Sequence, residues 1–236
     1  MSDFNRNAAA FPGAARTVAV DAGLRAHMLR VYNYMATGVG LTGLVAMLTY
    51  QFTGPELLQS PLMWVFMLAP FGLVFFISAR INKLSAETAR LLFFVYAALV
   101  GLSLSTIFHV YTGASITRVF FISAATFGAL SIWGYTTRRD LSGFGVFLFM
   151  GVIGIVIASL VNLFLRSAGL DWIISIVGVG VFAGLTAYDT QRIKGVYDSN
   201  DDATSTGRKA VIGALSLYLN FINLFMMLLR LAGNRR

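Results

Sequence analysis

The chain of 236 residues contains no cysteine, and this absence excludes several kinds of site. Without thiols there is no disulfide framework, no thiolate metal site and no cysteine nucleophile. Only two histidines are present, His27 and His109, and they lie far apart in the sequence. A zinc or haem site is therefore not expected, and we predict no cofactor.

Charged residues are also scarce, at 12% of the chain, whereas hydrophobic residues make up 57%. A water-soluble domain of this length needs far more charge to cover its surface. Phenylalanine alone contributes 20 residues. The composition predicts a chain embedded in the lipid bilayer, and no long polar block divides it into two domains.

Seven apolar stretches are long enough to cross a bilayer, which takes about 20 residues because the helix must satisfy its own backbone polar groups. They are residues 31–52, 61–79, 91–109, 118–135, 144–165, 172–190 and 211–231. We therefore predict an all-α integral membrane protein with seven transmembrane helices. Residues 1–29 are interpreted as a polar tail without the apolar core of a cleavable signal peptide, and residues 30–236 as the membrane domain.

Lys and Arg alternate between the two sides of the predicted bundle. The tail carries four Lys or Arg, and the loops after the second, fourth and sixth spans carry three, two and four. The loops after the first, third and fifth spans carry none, one and one. Because such residues near span ends are retained in the cytoplasm, the N-terminus is predicted to be cytoplasmic, and the net charge of +8 requires no nucleic-acid partner.

The end of the seventh span breaks this alternation, since Arg230, Arg235 and Arg236 lie on its predicted outer side. Two interpretations follow. Either the last helix crosses completely in spite of these charges, or it is short or re-entrant and leaves both termini in the cytoplasm.

Small residues recur at helical spacing and predict seams where helices approach closely. The predicted seams are Gly101, Ser105 and His109 in the third span, Gly154, Ala158 and Asn162 in the fifth, and Gly180 with Gly184 in the sixth. His109 lies at the end of its span and is interpreted as an interfacial hydrogen-bonding residue rather than a ligand.

The seventh span carries a polar stripe on one face, formed by Gly213, Ser216, Asn220 and Asn223. Residues three or four apart share a helix face, and a polar face is not stable against lipid. The rest of the helix is apolar. We therefore expect several neighbours to surround the seventh helix near the bundle centre.

Two ionisable residues, Asp189 and Arg80, lie at the cytoplasmic ends of the sixth and second spans. An ionisable side chain within a span costs about 2.5–3.5 kcal/mol on insertion scales, so it is a functional candidate. The two residues have similar predicted depth and are candidates for an ion pair. In the alternative interpretation, Asp189 is a solvated boundary residue beside Arg192 and Lys194, and Arg80 extends to the headgroups.

Four segments closely resemble the Bax inhibitor-1, or transmembrane Bax-inhibitor-motif, family of bacterial type. They are TAYDTQRIK at 186–194, ALSLYLNFINLFMMLLRL at 214–231, GYTTRRDLSGFGVFLFMGVIG at 134–154 and ISARINKLS at 77–85. The resemblance covers residues 25–231. It implies a bacterial inner-membrane location and two layers of three helices around a central seventh.

The resemblance also implies a function, that of a pH-sensitive calcium leak channel. In that family, two aspartates on the last two spans share a proton, and an arginine on the second span pairs with them. Asp189 matches the first aspartate and Arg80 falls near the position of the arginine, but Asn220 occupies the position of the second aspartate. An amide does not repel a carboxylate, so the shared-proton switch is expected to be altered.

We therefore hypothesise a cytoplasmic-side latch of Asp189 and Arg80 around the seventh helix, with Asn220 as its neutral partner and Ser216 and Asn223 further along the ion pathway. Calcium, the expected permeant ion, prefers oxygen ligands. One carboxylate with one amide would hold it weakly, which suits conduction better than storage.

Three other classes of function were compared with a channel. Bacterial relatives are also described as regulators that bind a membrane-bound AAA protease, and the polar tail would then be the contact, although its composition equally fits a plain disordered terminus. An intramembrane enzyme is not predicted, since the zinc, serine and paired-aspartate motifs are missing. A coupled transporter would show broken helices or matching inverted halves, and the sequence has no obvious repeat.

Overall fold

The computed structural model describes residues 12–54 and 60–236. These residues form seven long helices: α1 (Pro12–Phe52), α2 (Pro61–Arg80), α3 (Ala86–Leu104), α4 (Gly113–Thr136), α5 (Ser142–Leu165), α6 (Ala168–Gly195) and α7 (Ala203–Ala232). Each contains a segment long and apolar enough to cross a membrane. The predicted fold class is confirmed.

The first helix begins earlier than the predicted first span at residue 31. It starts at Pro12, and its apolar segment extends over Ala22–Phe52. The charges of Arg25 and Arg30 interrupt the apolar run of the sequence without ending the helix. Residues 1–11 of the predicted tail, on which the predicted protease contact depends, lie outside the described residues.

Side-chain caps explain why other helices also extend beyond their apolar runs. Ser85, Thr112 and Ser167 each accept a hydrogen bond from a first-turn amide of α3, α4 and α6. Asp202 does the same for α7. Such caps satisfy amides that have no partner within the helix. Hydrogen bonding from the Ser205 side chain, and then from backbone amides, lowers the pKa of the Asp202 carboxyl below its usual value.

The helices form two groups of three around α7. In one group α3 packs on both α1 and α2, and in the other α6 packs on both α4 and α5, while α7 contacts α1, α3, α4 and α6. In its most apolar window α7 has 61% of its residues buried, compared with 11–39% in the other six helices. The predicted central position of the seventh helix is therefore correct.

Only some of the predicted glycine seams are close contacts. A Cβ atom at Gly101 would lie 2.7 Å from the Thr42 carbonyl oxygen, and one at Gly184 would lie 2.9 Å from Leu148. Within the described residues, Gly154 and Gly180 have no neighbouring atom within 4 Å of such a Cβ, so the prediction is wrong for them. Spacing alone places glycines on one helix face but does not show which face meets a neighbour.

The predicted hydrogen-bonding role of His109 is also not observed within the described residues. Its ring contacts Tyr50 edge to face, with 4.7 Å between the ring centroids. His109 therefore packs against the end of α1 at the interface.

The last residues show that α7 crosses the bundle completely. The Thr112 amide donates to the Asn234 carbonyl at 3.1 Å, and the Arg236 amide donates to the Val110 carbonyl at 3.0 Å. The Arg236 guanidinium also reaches the Tyr50 hydroxyl at 3.2 Å. We call these contacts the C-terminal clasp. It joins the chain end to the ends of α1 and α3, so the short or re-entrant alternative is wrong.

The cations that break the charge alternation have local partners at this end of the bundle. Arg230 and Arg235 lie 3.6 and 4.0 Å from the Asp171 carboxylate. Arg118 donates to the Ala232 carbonyl at 3.1 Å, near the end of α7. These contacts are solvent-exposed, so they orient the chain end more than they stabilise it.

Candidate functional site

Asp189 lies in the second half of α6 and is 7% exposed. Its Oδ2 accepts a hydrogen bond of 2.7 Å from Nδ2 of Asn220, which is itself 5% exposed on α7. The acid of the penultimate helix and the amide of the last helix therefore meet directly. Asp189 is not the solvated boundary residue of the alternative interpretation.

The second oxygen of this carboxylate is paired with an arginine one turn further along α6. Nη2 of Arg192 lies 2.9 Å from Oδ1 of Asp189 and also donates to Oγ of Ser216 at 3.1 Å. Asp189, Arg192, Ser216 and Asn220 are here named the α6–α7 polar cluster. Both carboxylate oxygens thus have a partner, and the charge of Asp189 is neutralised within the cluster.

The predicted partner Arg80 does not occupy this position. It is exposed at the end of α2, which packs on α3 in the other group of helices, and within the described residues it forms no ion pair with Asp189. The predicted latch pair is therefore wrong. Opposite charges three residues apart on one helix are neighbours, and this spacing was the signal for Arg192.

Asn223 is also outside the cluster. Its amide nitrogen donates to the Leu219 carbonyl of its own helix at 2.9 Å. One helical turn separates it from Asn220, which makes it a natural reference for substitutions at Asn220. Of the predicted site residues, the structure therefore brings together Asp189, Asn220 and Ser216.

A pocket of about 400 Å³ opens beside the cluster, between α5, α6 and α7. Asp189 and Asn220 line its inner wall, Arg192 lies at its edge, and Val146 and Phe149 of α5 lie at its exposed side. A cavity of this size has room for water beside the buried polar groups. The cluster is therefore reachable from one side of the bundle.

Gly145 determines how closely α5 approaches this pocket. A Cβ atom there would lie 2.4 Å from the ring of Tyr188, the residue before Asp189. Gln191 holds α6 to the loop between α4 and α5, because it donates to the Arg139 carbonyl at 2.7 Å and accepts from the Leu141 amide at 2.9 Å. Neither role is predictable from the sequence pattern, because each depends on tertiary contacts.

Within the described residues, no group of three or more His, Asp or Glu side chains is positioned to bind a metal ion. A cation at the cluster would meet one carboxylate, with amide and hydroxyl oxygens as further ligands. Calcium takes six to eight oxygen ligands in tight sites, so this set is too small for storage.

Comparison with known proteins identifies the family. The family profile described as "Inhibitor of apoptosis-promoting Bax1" matches residues 24–236. The "Inner membrane protein YbhL" of Escherichia coli K12 is 48% identical over 231 residues, which are 96% of this chain and 99% of that protein. This chain belongs to the Bax inhibitor-1 family. An uncharacterized protein of Caulobacter vibrioides is 42% identical and covers both chains over their full lengths.

The chain is thus an integral inner-membrane protein of the Bax inhibitor-1 family, with seven candidate spans. In this family member a second buried network lies on α7 beside the cluster. The Thr42 hydroxyl of α1 lies 2.6 Å from the Tyr218 hydroxyl and 2.8 Å from the Ala97 carbonyl of α3. This network attaches the central helix to α1 and α3.

Beyond the cluster, the path along α7 toward the C-terminal clasp is filled with apolar side chains. Buried residues in this stretch are Phe221, Leu224, Phe225, Met227 and Leu229. Along α7, the polar cluster is therefore followed by a tightly packed apolar stretch that extends toward the C-terminal clasp. The geometry is that of a closed bundle.

Proposed function

We propose that this Bax inhibitor-1 family protein is a calcium leak channel that is gated at the α6–α7 polar cluster. The observation that carries the proposal is the burial of Asp189, at 7% exposure, against the central helix and beside an open pocket. A buried acid within a membrane span marks an ion pathway more often than a structural contact.

Arg192 is the proposed latch in place of Arg80. Its side chain is 45% exposed, whereas that of Asp189 is 9% exposed. The guanidinium is therefore at the edge of the pocket, where a rotamer change moves it toward the headgroups and leaves the carboxylate without its counter-charge. An incoming cation then replaces the lost charge.

Ion selectivity follows from the oxygen ligands of the cluster. Asp189, the Asn220 carbonyl and the Ser216 hydroxyl offer hard ligands, which favour calcium and hold it weakly. A permeant ion must bind well enough to enter and weakly enough to leave. Since Asn220 is an amide, two carboxylates do not share a proton here, and the ion pair with Arg192 becomes the main control of opening.

Calcium flux into proteoliposomes tests the proposal. We expect Arg192→Gln to raise the flux, because the carboxylate loses its counter-charge, and Asp189→Asn to abolish it. Asn220→Asp is expected to introduce a dependence on pH between 6 and 8, because it places a second carboxylate beside the first. Sodium and potassium are measured in parallel to establish selectivity.

Two substitutions serve as controls. Asp171→Asn removes an acid at the opposite end of the bundle, and Arg80→Gln removes the exposed cation of α2. Neither is expected to change the flux. If Asp189→Asn leaves both the rate and the pH response of the wild type intact, the proposed gate is wrong.

A further inference from the structure

A cleft of about 490 Å³ separates α1 from α4, two helices of different groups. Its inner part is lined by Met28 and Tyr32 of α1 and by Phe127 and Gly128 of α4. The Tyr32 hydroxyl lies 3.4 Å from the Thr190 hydroxyl, which links α1 to α6 beside the cleft. The cleft is outside the α6–α7 polar cluster and has no role in the proposed gate.

The cleft is apolar inside and cationic at one end. Arg25 and Tyr135 line this end, where the first span begins and α4 finishes. Lys194 donates to the Tyr135 carbonyl at 3.0 Å and lies 4.8 Å from the centre of the Tyr135 ring. Arg25 is exposed, and none of the described residues forms an ion pair with it. The apolar interior of the cleft thus matches the acyl chains of a lipid, and its cationic end matches an anionic headgroup.

We propose that this cleft binds one anionic glycerophospholipid from the surrounding leaflet. An acyl chain packs against Met28 and Phe127, and the phosphate lies near Arg25. A groove that opens toward the bilayer is filled by lipid unless protein covers it. Basic pockets between helices on the cation-rich side select anionic headgroups.

The charge distribution of the whole chain supports the anionic headgroup. Of the 18 Lys and Arg, those at the opposite end are Arg118, Arg166, Arg230, Arg235 and Arg236. By the order of the spans, the twelve others within the described residues belong to the end where the cleft has its mouth. Anionic lipid is attracted to that end, and the cleft provides a specific position for one molecule.

Native mass spectrometry of the purified full chain tests the site, with phosphatidylglycerol and phosphatidylethanolamine of the same acyl chains added in turn. The wild type is expected to retain one phosphatidylglycerol in preference to phosphatidylethanolamine. Arg25→Gln is expected to reduce this preference about fivefold, the typical effect of one cation near an anionic headgroup.

A matched pair of glycines tests the position of the lipid. Gly128 and Gly154 both have no atom of the described residues within 4 Å of an added Cβ, but of the two only Gly128 lines the cleft. Gly128→Leu is expected to eliminate the retained lipid, and Gly154→Leu to keep it. Equal retention by both variants, or a wild type without headgroup preference, overturns the proposal. Should Gly128→Leu not fold, an unchanged preference in Arg25→Gln overturns it.

Discussion

Replacing Asn220 by alanine measures what the contact between α6 and α7 contributes to the stability of the bundle. The variant removes the 2.7 Å hydrogen bond to Asp189 and leaves that carboxylate with Arg192 alone. Interhelical hydrogen bonds in membrane proteins contribute at most about 1.7 kcal/mol, and hydrogen bonds to charged groups about 1.5–3 kcal/mol. Because Asp189 is buried and paired with Arg192, we expect a loss of about 1.7 kcal/mol, where the two ranges meet.

This loss corresponds to a change of about 20-fold in the ratio of folded to unfolded protein. Unfolding titrations with sodium dodecyl sulfate in mixed micelles measure it. Asn223→Ala is the matched control, since that amide bonds only within α7, to the Leu219 carbonyl. We expect the control to lose well under 1 kcal/mol. If the two variants lose the same stability, the contact between Asp189 and Asn220 does not stabilise the bundle as argued.

Three further results are expected. Asp202→Ala destabilises the protein more at pH 7 than at pH 3 in paired unfolding titrations. Folding lowers the pKa of the Asp202 carboxyl below its ordinary value of 3.8, so the charged cap stabilises the fold above pH 3.8, and this stabilisation is lost as the pH falls through the lowered pKa. In the same assay, Gly134→Ala is expected to lower the free energy of unfolding by about 1–3 kcal/mol, because its Cβ would lie 2.3 Å from a backbone oxygen of α6. The control Gly128→Ala is expected to be neutral or slightly stabilising. Equal effects of the two substitutions would contradict the close approach of α4 and α6 at Gly134. The chain has no cysteine, so Arg236→Cys and Asn200→Cys each introduce a single thiol that an impermeant maleimide can label in oriented vesicles. We expect the two thiols to be labelled from opposite sides of the membrane. Labelling of both from the same side would show that α7 does not cross.

The sequence predicted the number of spans and the central position of α7 because both depend on local patterns. A run of about 20 apolar residues is sufficient to identify a span, and the stripe through Ser216 and Asn220 identifies a buried face. Asp189 and Asn220 were recognised as partners through the family resemblance. Their 2.7 Å contact agrees with that expectation.

The latch pair and the glycine seams were less predictable. The depth of a residue in the bilayer can be counted along the chain, but the sequence does not show how each helix is rotated about its axis and therefore which face meets a neighbour. Arg80 and Asp189 have similar predicted depth, yet α2 packs on α3 and its arginine is exposed. Gly154 and Gly180 were assigned to seams on spacing alone and have no close neighbour. Arg192 is paired through the geometry of a single helix, which the sequence does contain.

The position of α7 in the chain has a consequence for biosynthesis. The helix that contacts both groups of three is synthesised after the other six, and residues 234–236 of the C-terminal clasp follow it. Six helices are therefore made before the element that joins them exists. A product truncated before α7 lacks the centre of the bundle, which gives the cell a direct structural difference between such a fragment and a chain that includes α7.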